Sequence, residues 1–284
     1  MQYYEPNFVD EALVLLDRFG DGATLLAGGT RVAFAVREHP EKTAALVNLK
    51  RIQELTRIEE REATLRIGAL ATAHALAEDP AVKRHAPMLA EAAGSMGARQ
   101  LRSIATVGGN ICSFDPASDL VVALVAYGAE LVVATSDEPS RFEPLESWLV
   151  RGVSNRREIV VAVHVPVCAR RSAFAKMTTR RGFEMAIVSV AVCGSFESSN
   201  LSGVAIALGG TAPSVIRART AEQILSKAAF SRERASAAAR AAAERDAQPL
   251  SDLRASAEYR RHLVAVLAER ALLKAFGASD ATGS

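Results

Sequence analysis

The period of the apolar positions changes along the chain. Residues 7–19 read as a helix, because Val9, Ala12, Leu13 and Leu16 recur at helical spacing. Asn7 suits its N-cap, with Asp10 three residues on, and Gly20 suits a left-handed C-terminal position. An apolar strand at 24–27 runs into Gly28-Gly29-Thr30, residues 31–37 can open a helix on that loop, and 44–48 reads as another strand. This is a βαβ-like unit whose crossover should be right-handed. From Leu55 on, the expected elements are a strand at 64–67, short helices at 72–77 and 81–85, and a helix at 88–93 stopped by Gly94. A glycine-rich passage at 97–110 precedes an apolar helix at 117–127 and strands at 131–135 and 159–165. In the last strand, Ile159, Val161, Val163 and Val165 should share one face, with Val160, Ala162 and His164 on the other.

After Pro166 the pattern reads as a separate unit. Strands at 173–179, 187–196 and 204–208 suit an antiparallel sheet, with Ser198-Ser199-Asn200 as a hairpin connection. Helices follow at 220–227, at the Ala-rich 232–245, which its Arg/Glu pairs mark as solvated, and at 255–276. In the last, Tyr259, Leu263, Val266 and Leu273 fall on one stripe and Gly277 ends it, and residues 278–284 read as a tail. Strands then helices make an α+β unit.

Composition narrows the function. With 284 residues, at ~150 per domain, the prior is two domains. The 34 Lys+Arg and 32 Asp+Glu give a net charge of +2, which excludes a strongly basic nucleic-acid binder. Only Cys112, Cys168 and Cys193 are present, without a CxxC, so the chain cannot build an iron–sulfur cluster alone and reads as cytosolic with free thiols. The N-terminal residues lack the basic and apolar regions of a signal peptide, and no apolar run approaches the ~20 residues of a membrane span. The expectation is a cytoplasmic protein.

Two glycine pairs carry the chemistry. Ala27-Gly28-Gly29-Thr30 follows a strand, and Thr106-Val107-Gly108-Gly109-Asn110 sets a hydroxyl and an amide around the second pair. Glycines let backbone N–H groups approach a phosphate, and two such loops could clamp a dinucleotide; each could equally be a tight turn. Neither matches GxGxxG or a P-loop. Asp119 opens the apolar helix, as an ordinary first-turn carboxylate or as an acceptor for a ligand hydroxyl. Lys176, mid-strand among apolar neighbours, is either surface-facing or a cofactor contact, and Asp115-Pro116 reads as a turn. The five His have no metal-ligand spacing. No acid, base or nucleophile stands out, which fits chemistry supplied by a bound cofactor.

These segments in order, with Gln100–Asn110, Asp115–Leu120, Glu158-Ile159-Val160-Val161, Phe174-Ala175-Lys176, Arg180-Arg181, Glu184-Met185-Ala186 and Asp252–Arg260, resemble the FAD-binding medium subunit of molybdenum hydroxylases. That is the family of carbon monoxide dehydrogenase flavoproteins and the xanthine dehydrogenase flavin domain. The resemblance implies an α+β fold: a PCMH-type FAD-binding domain at 1–168, with subdomains of about 1–55 and 56–168, then a C-terminal domain at 169–277 with a three-stranded antiparallel sheet and helices. It implies that Ala27, Gly28, Gly29, Thr30, Arg31 and Val32 wrap the FAD pyrophosphate, and that Thr106, Gly108, Gly109 and Asn110 form the second loop. Asp119 would bind a ribose or ribityl hydroxyl, and Val160 and Lys176 would line the flavin, with Met96 and Gly97 nearby. Arg31, Phe174 and Glu184 depart from the commoner Asp/Asn, Tyr and Asp of relatives. The implied partners are a molybdopterin-binding large subunit, a small subunit with 2Fe–2S clusters, and an external electron acceptor: NAD, a quinone or oxygen. The alternatives are a self-contained FAD-dependent oxidase or reductase, or a flavin-free assembly or nucleotide-binding protein of the same fold.

Overall fold

The computed structural model describes residues 1–138, 140–152, 157–167, 170–180 and 185–277. Cys168, Arg181, Glu184 and the tail at 278–284 therefore lie outside the described residues.

The first unit is a parallel sheet of β1 (Gln2–Tyr4), β2 (Ala23–Leu26) and β3 (Ala45–Asn48), in the order β1-β3-β2. Helix α1 (Val9–Phe19) buries Val9, Ala12, Leu13 and Leu16, the stripe its spacing predicts. Its cap differs from expectation. The helix starts after an extended Phe8, so Asn7 lies one residue outside and caps nothing; its N–H donates to the Glu11 carboxylate at 2.7 Å. Helix α2 (Val32–Glu38) follows the first glycine pair and buries none of its residues, although five of the seven are apolar.

The second unit is a five-stranded sheet of β4 (Ile58–Glu60), β5 (Thr64–Gly68), β6 (Glu130–Ala134), β7 (Arg141–Pro144) and β8 (Ile159–Pro166), in the order β4-β5-β8-β6-β7. The strict alternation expected of β8 is broken. Val132 pairs with Ala162 but Val133 pairs with Val160, which leaves Val161 as an extra residue. The Val161 carbonyl accepts instead from the Ala69 N–H at 2.9 Å. Val160 thereby joins Val163 and Val165 in the main core, while Ile159 turns to the α1 cluster.

This part of the chain also carries α3 (Ala73–Glu78), α4 (Pro80–His85), α5 (Pro87–Ser95), α6 (Arg99–Arg102), α7 (Val107–Ile111), α8 (Asp119–Tyr127) and α9 (Leu145–Arg151). Gly94 does not end α5, which continues to Ser95. All nine residues of α8 are buried, as a helix apolar on every side requires.

The C-terminal unit has an antiparallel sheet of β9 (Arg171–Met177), β10 (Val188–Glu197) and β11 (Asn200–Gly209), edged by the two-residue β12 (Ile216–Arg217). The β10–β11 hairpin turns through Ser198, at φ 57°, and Ser199, as the sequence predicts. Both faces of the sheet are covered. Ala191 and Cys193 pack into the main core with α8, and Val188, Val190 and Val192 pack on the other side under α10 (Arg219–Leu225), α11 (Arg232–Ala241) and α12 (Ala257–Phe276). The Ala-rich stretch is not merely solvated: Ala235, Ala238, Ala239, Ala242 and Ala243 are buried in this cluster, where small side chains allow close approach. The expected α12 stripe is also displaced. Leu263 is buried, but Tyr259 is exposed, and Arg260, Val264, Leu267, Ala271 and Leu272 form the inward face. Among the described residues no helix is long and apolar enough to cross a membrane.

Candidate functional site

A cleft of about 910 Å³ lies between the two glycine loops and the start of α8. That volume is within the range of small-molecule and cofactor sites, roughly 300–1,000 Å³. Ala27, Gly28, Gly29, Thr30, Arg31, Val32, Thr106, Gly108, Gly109, Asn110, Asp119 and Val160 all line it. Residues as far apart in sequence as Ala27 and Val160 thus meet in one place because β2, α7, α8 and β8 converge there.

Within each glycine pair one residue makes the loop possible by packing. A Cβ on Gly28 would lie 2.0 Å from the Ile104 carbonyl oxygen, so only glycine lets the first loop rest on the segment before the second. A Cβ on Gly108 would lie 2.9 Å from Ala69 Cβ and 3.0 Å from its carbonyl oxygen, and Gly108 N–H donates to that oxygen at 2.8 Å. Gly29 takes φ 81°, which directs the chain into α2. In the second loop the Thr106 hydroxyl accepts from Gly109 N–H at 3.1 Å. The Asn110 amide is spent internally, donating to the Thr106 carbonyl at 3.0 Å and accepting from Ser118 Oγ at 3.1 Å.

At the floor, Asp119 is 3% exposed. Its Oδ2 accepts from Lys176 Nζ at 2.7 Å, and its Oδ1 is buried with no partner. Burial pushes the Asp119 carboxyl up to about 6, against the opposing pull of the Lys176 ammonium. Lys176 does not line the cleft. Its ammonium is held behind Asp119 and also donates to the Ser95 carbonyl at 2.7 Å. Apolar walls come from Leu25, Leu70, Met96, Ile159, Val160 and Met185.

Sequence reasoning missed two features. Ile159, at the start of β8, lines the cleft beside Val160 although the two belong to different core clusters, which the expected alternation does not announce. Asp115, read as a turn residue, accepts from Arg31 at 2.9 Å and so ties the two loops together. Among the described residues no group of His, Cys, Asp and Glu could hold a metal ion.

A buried acceptor without a partner, beneath two loops whose backbone approaches closely, fits a ligand that is rich in hydroxyls and carries phosphates. A dinucleotide is one ligand of that chemistry. Comparison with known proteins gives the family. Residues 1–168 match the FAD binding domain in molybdopterin dehydrogenase, and residues 172–275 match the CO dehydrogenase flavoprotein C-terminal domain. The chain is 31% identical to the xanthine dehydrogenase FAD-binding subunit of Escherichia coli O157:H7 over 264 residues, 90% of each chain. It is also 31% identical to the carbon monoxide dehydrogenase medium chain of Hydrogenophaga pseudoflava over 282 residues, 95% of each. A solved structure of carbon monoxide dehydrogenase from H. pseudoflava, lacking the Mo-pyranopterin moiety of the molybdenum cofactor, superposes with a TM-score of 0.92, covering 98% of this chain and 97% of the other. The chain belongs to the FAD-binding subunit family of molybdopterin dehydrogenases, and is an oxidoreductase subunit with FAD as its cofactor.

Proposed function

We propose that the chain is the FAD-binding electron-transfer subunit of a molybdenum-containing hydroxylase or dehydrogenase complex. In this reading it receives electrons from 2Fe–2S clusters of a small partner subunit, beside a molybdopterin-binding large subunit. It passes them to an external acceptor: NAD, a quinone or oxygen. The observation that carries the reading is the cleft itself, where both glycine loops meet the unpartnered Asp119 Oδ1.

The residues then divide the work. The backbone at Gly28, Gly29 and Thr30 and at Gly108 and Gly109 would lie against the pyrophosphate, with Thr106 holding the second loop in shape. Asp119 Oδ1 would accept from a ribityl or ribose hydroxyl, and Lys176 would keep that carboxylate oriented and ionised from behind. Val160 and Met96 would exclude water from the ring system. FAD, when bound, supplies the exchange between one- and two-electron chemistry. In this reading Asp119 and its partner Lys176 are committed to the cofactor rather than to a substrate, which disfavours a self-contained oxidase. Relatives named for xanthine, carbon monoxide and nicotine match this chain along most of its length, so a shared flavin cleft does not select the substrate. Cys112 and Cys193 form no disulfide, which suits a reducing cytoplasm, where we place the complex.

The purified full-length chain should show a flavin absorption band, or gain one on incubation with FAD. A chain that neither carries nor takes up FAD would sink this reading. Copurification from its host with two further subunits separates the complex subunit from a free-standing enzyme.

A further inference from the structure

The segment from Asp252 to Arg260 lines no part of the cleft, yet its two ends meet. Arg260 is 4% exposed. Its Nη2 donates to both Asp252 carboxylate oxygens, at 2.8 Å each, and its Nη1 donates to the carbonyls of Ile187 at 2.6 Å and Gly210 at 3.0 Å. Each of these carbonyls is a short step from a cleft wall. Ile187 N–H donates to the Met177 carbonyl at 2.7 Å, next to Lys176, and Met185, two residues earlier, lines the cleft. Gly210 N–H donates to the Pro116 carbonyl at 2.7 Å, and Asp115 and Ala117 on either side of it line the cleft. Gly210 stands at φ 72°, where a Cβ would lie 2.4 Å from the Ile187 oxygen, so glycine is what lets the two carbonyls share one guanidinium nitrogen.

The outer end of this clamp is preorganised. Asp252 Oδ1 accepts from the N–H groups of Arg254 at 2.9 Å and Ala255 at 3.1 Å. Ser251 Oγ accepts from Ala257 N–H at 2.9 Å, and Ser256 caps α12 through Tyr259 N–H at 3.1 Å. The motif thus starts a helix so that its fourth residue, Arg260, enters the protein already aimed.

We propose that Arg260 and Asp252 are positioning residues for the cofactor cleft, fixing the walls that carry Met185 and Asp115–Asp119. The inference rests on the reading of that cleft as the FAD site. A planar fork is required: one nitrogen serves two carbonyls while the other serves a carboxylate, and a lysine ammonium cannot span both.

The test uses full-length Asp252→Asn and Arg260→Lys, with Glu222→Gln as a comparison variant. Glu222 pairs with Arg217 and the Ile206 N–H inside the same domain, away from the cleft. FAD affinity is measured by titration below each unfolding midpoint, and the environment of bound flavin by visible circular dichroism. Loss of a hydrogen bond to a charged group predicts about a ten-fold rise in Kd for Asp252→Asn and a larger one for Arg260→Lys. Both should alter the dichroism, whereas Glu222→Gln should lower the unfolding temperature and move neither. Wild-type affinity and dichroism in both clamp variants would overturn the inference. If Arg260→Lys fails to fold, Asp252→Asn and Asp252→Ala, at the solvent end, decide it by the same readouts. A wild-type chain that takes up no FAD removes the functional reading first, and the inference with it.

Discussion

Gly28-Gly29 leads from a strand into a helix with no buried residue, whereas Gly108-Gly109 sits inside a short helix whose Val107, Gly108 and Ile111 are buried. The first loop is held by contact, through Gly28 lying on Ile104 and Ala105. The second is held by hydrogen bonds: Val107 and Gly108 donate to Ala71 and Ala69, and Thr106 accepts from Gly109. In sequence the pairs look interchangeable. In the fold the first depends on the second for its support, so damage to them should not be symmetric.

The largest effect is expected where a new Cβ meets backbone. Gly28→Ala puts a methyl 2.0 Å from the Ile104 oxygen, and neither backbone can move aside locally. Overpacking of this kind costs about 1–3 kcal/mol, occasionally more, and here it must separate the loops. Gly28→Ala should therefore abolish FAD uptake and lower the unfolding temperature. Retained FAD affinity would show that the first loop does not need its contact with the second. Gly109→Ala probes the other support. Its Cβ would meet only the Thr106 hydroxyl at 2.9 Å, a side-chain atom that can rotate away at the cost of a cap, about 1 kcal/mol. FAD should still bind, a few-fold more weakly.

Between these in size stands Asp119, which both loops face. Replacing it by Asn removes a charge-assisted acceptor, for which a loss of about 1.5–3 kcal/mol in FAD affinity is expected. The pH dependence has a definite sign. Burial raises the Asp119 carboxyl to about 6, while Lys176 opposes the rise and Asp115 adds to it. Between the ordinary aspartate range and about 6, the folded chain holds a proton that the unfolded chain has released, so this group's contribution to stability falls as pH rises through that window. Cofactor binding runs the other way, because the carboxylate is the acceptor. FAD affinity should weaken as pH falls below about 6, and Asp119→Asn should flatten that dependence. Titrations across pH 5–8, a window set by the linkage relation, test both signs.

The two loops also show what a sequence carries and what it does not. The helical stripe of α1, the run into Gly28-Gly29 and the β10–β11 hairpin were legible because each is local: spacing, composition and turn residues decide them. All twelve of the proposed ligand positions other than Lys176 do line the cleft, because ordered motifs, unlike single glycines, carry position. Three things were not legible, each for a tertiary reason. The β8 bulge answers to a hydrogen bond from Ala69, so it inverts an alternation that looked regular. The α12 stripe turns to bury Arg260, a charge that hydrophobic pattern alone would place outside. Lys176 points at Asp119 from the C-terminal sheet, 57 residues further along the chain, so no spacing rule could make it a partner.

The smallest effect belongs to a side-chain bridge between the loops at the cleft's edge. Arg31 donates to Asp115 at 2.9 Å, with the arginine side chain 64% exposed and the aspartate 19%. Exposed pairs of this kind contribute about 0–1 kcal/mol and are screened by salt. If the pair helps hold the first loop against the second, Arg31→Ala should speed FAD release by no more than about five-fold at low ionic strength. The difference from wild type should vanish in about 1 M salt, where the screening length falls to about 3 Å. Asp115→Asn should match it and the double variant should add nothing, since the two substitutions remove the same contact. Stopped-flow displacement of FAD measures all four rates. Additive effects would mean that Arg31 acts on the cofactor phosphates directly, and that the two loops are joined by packing at Gly28 alone.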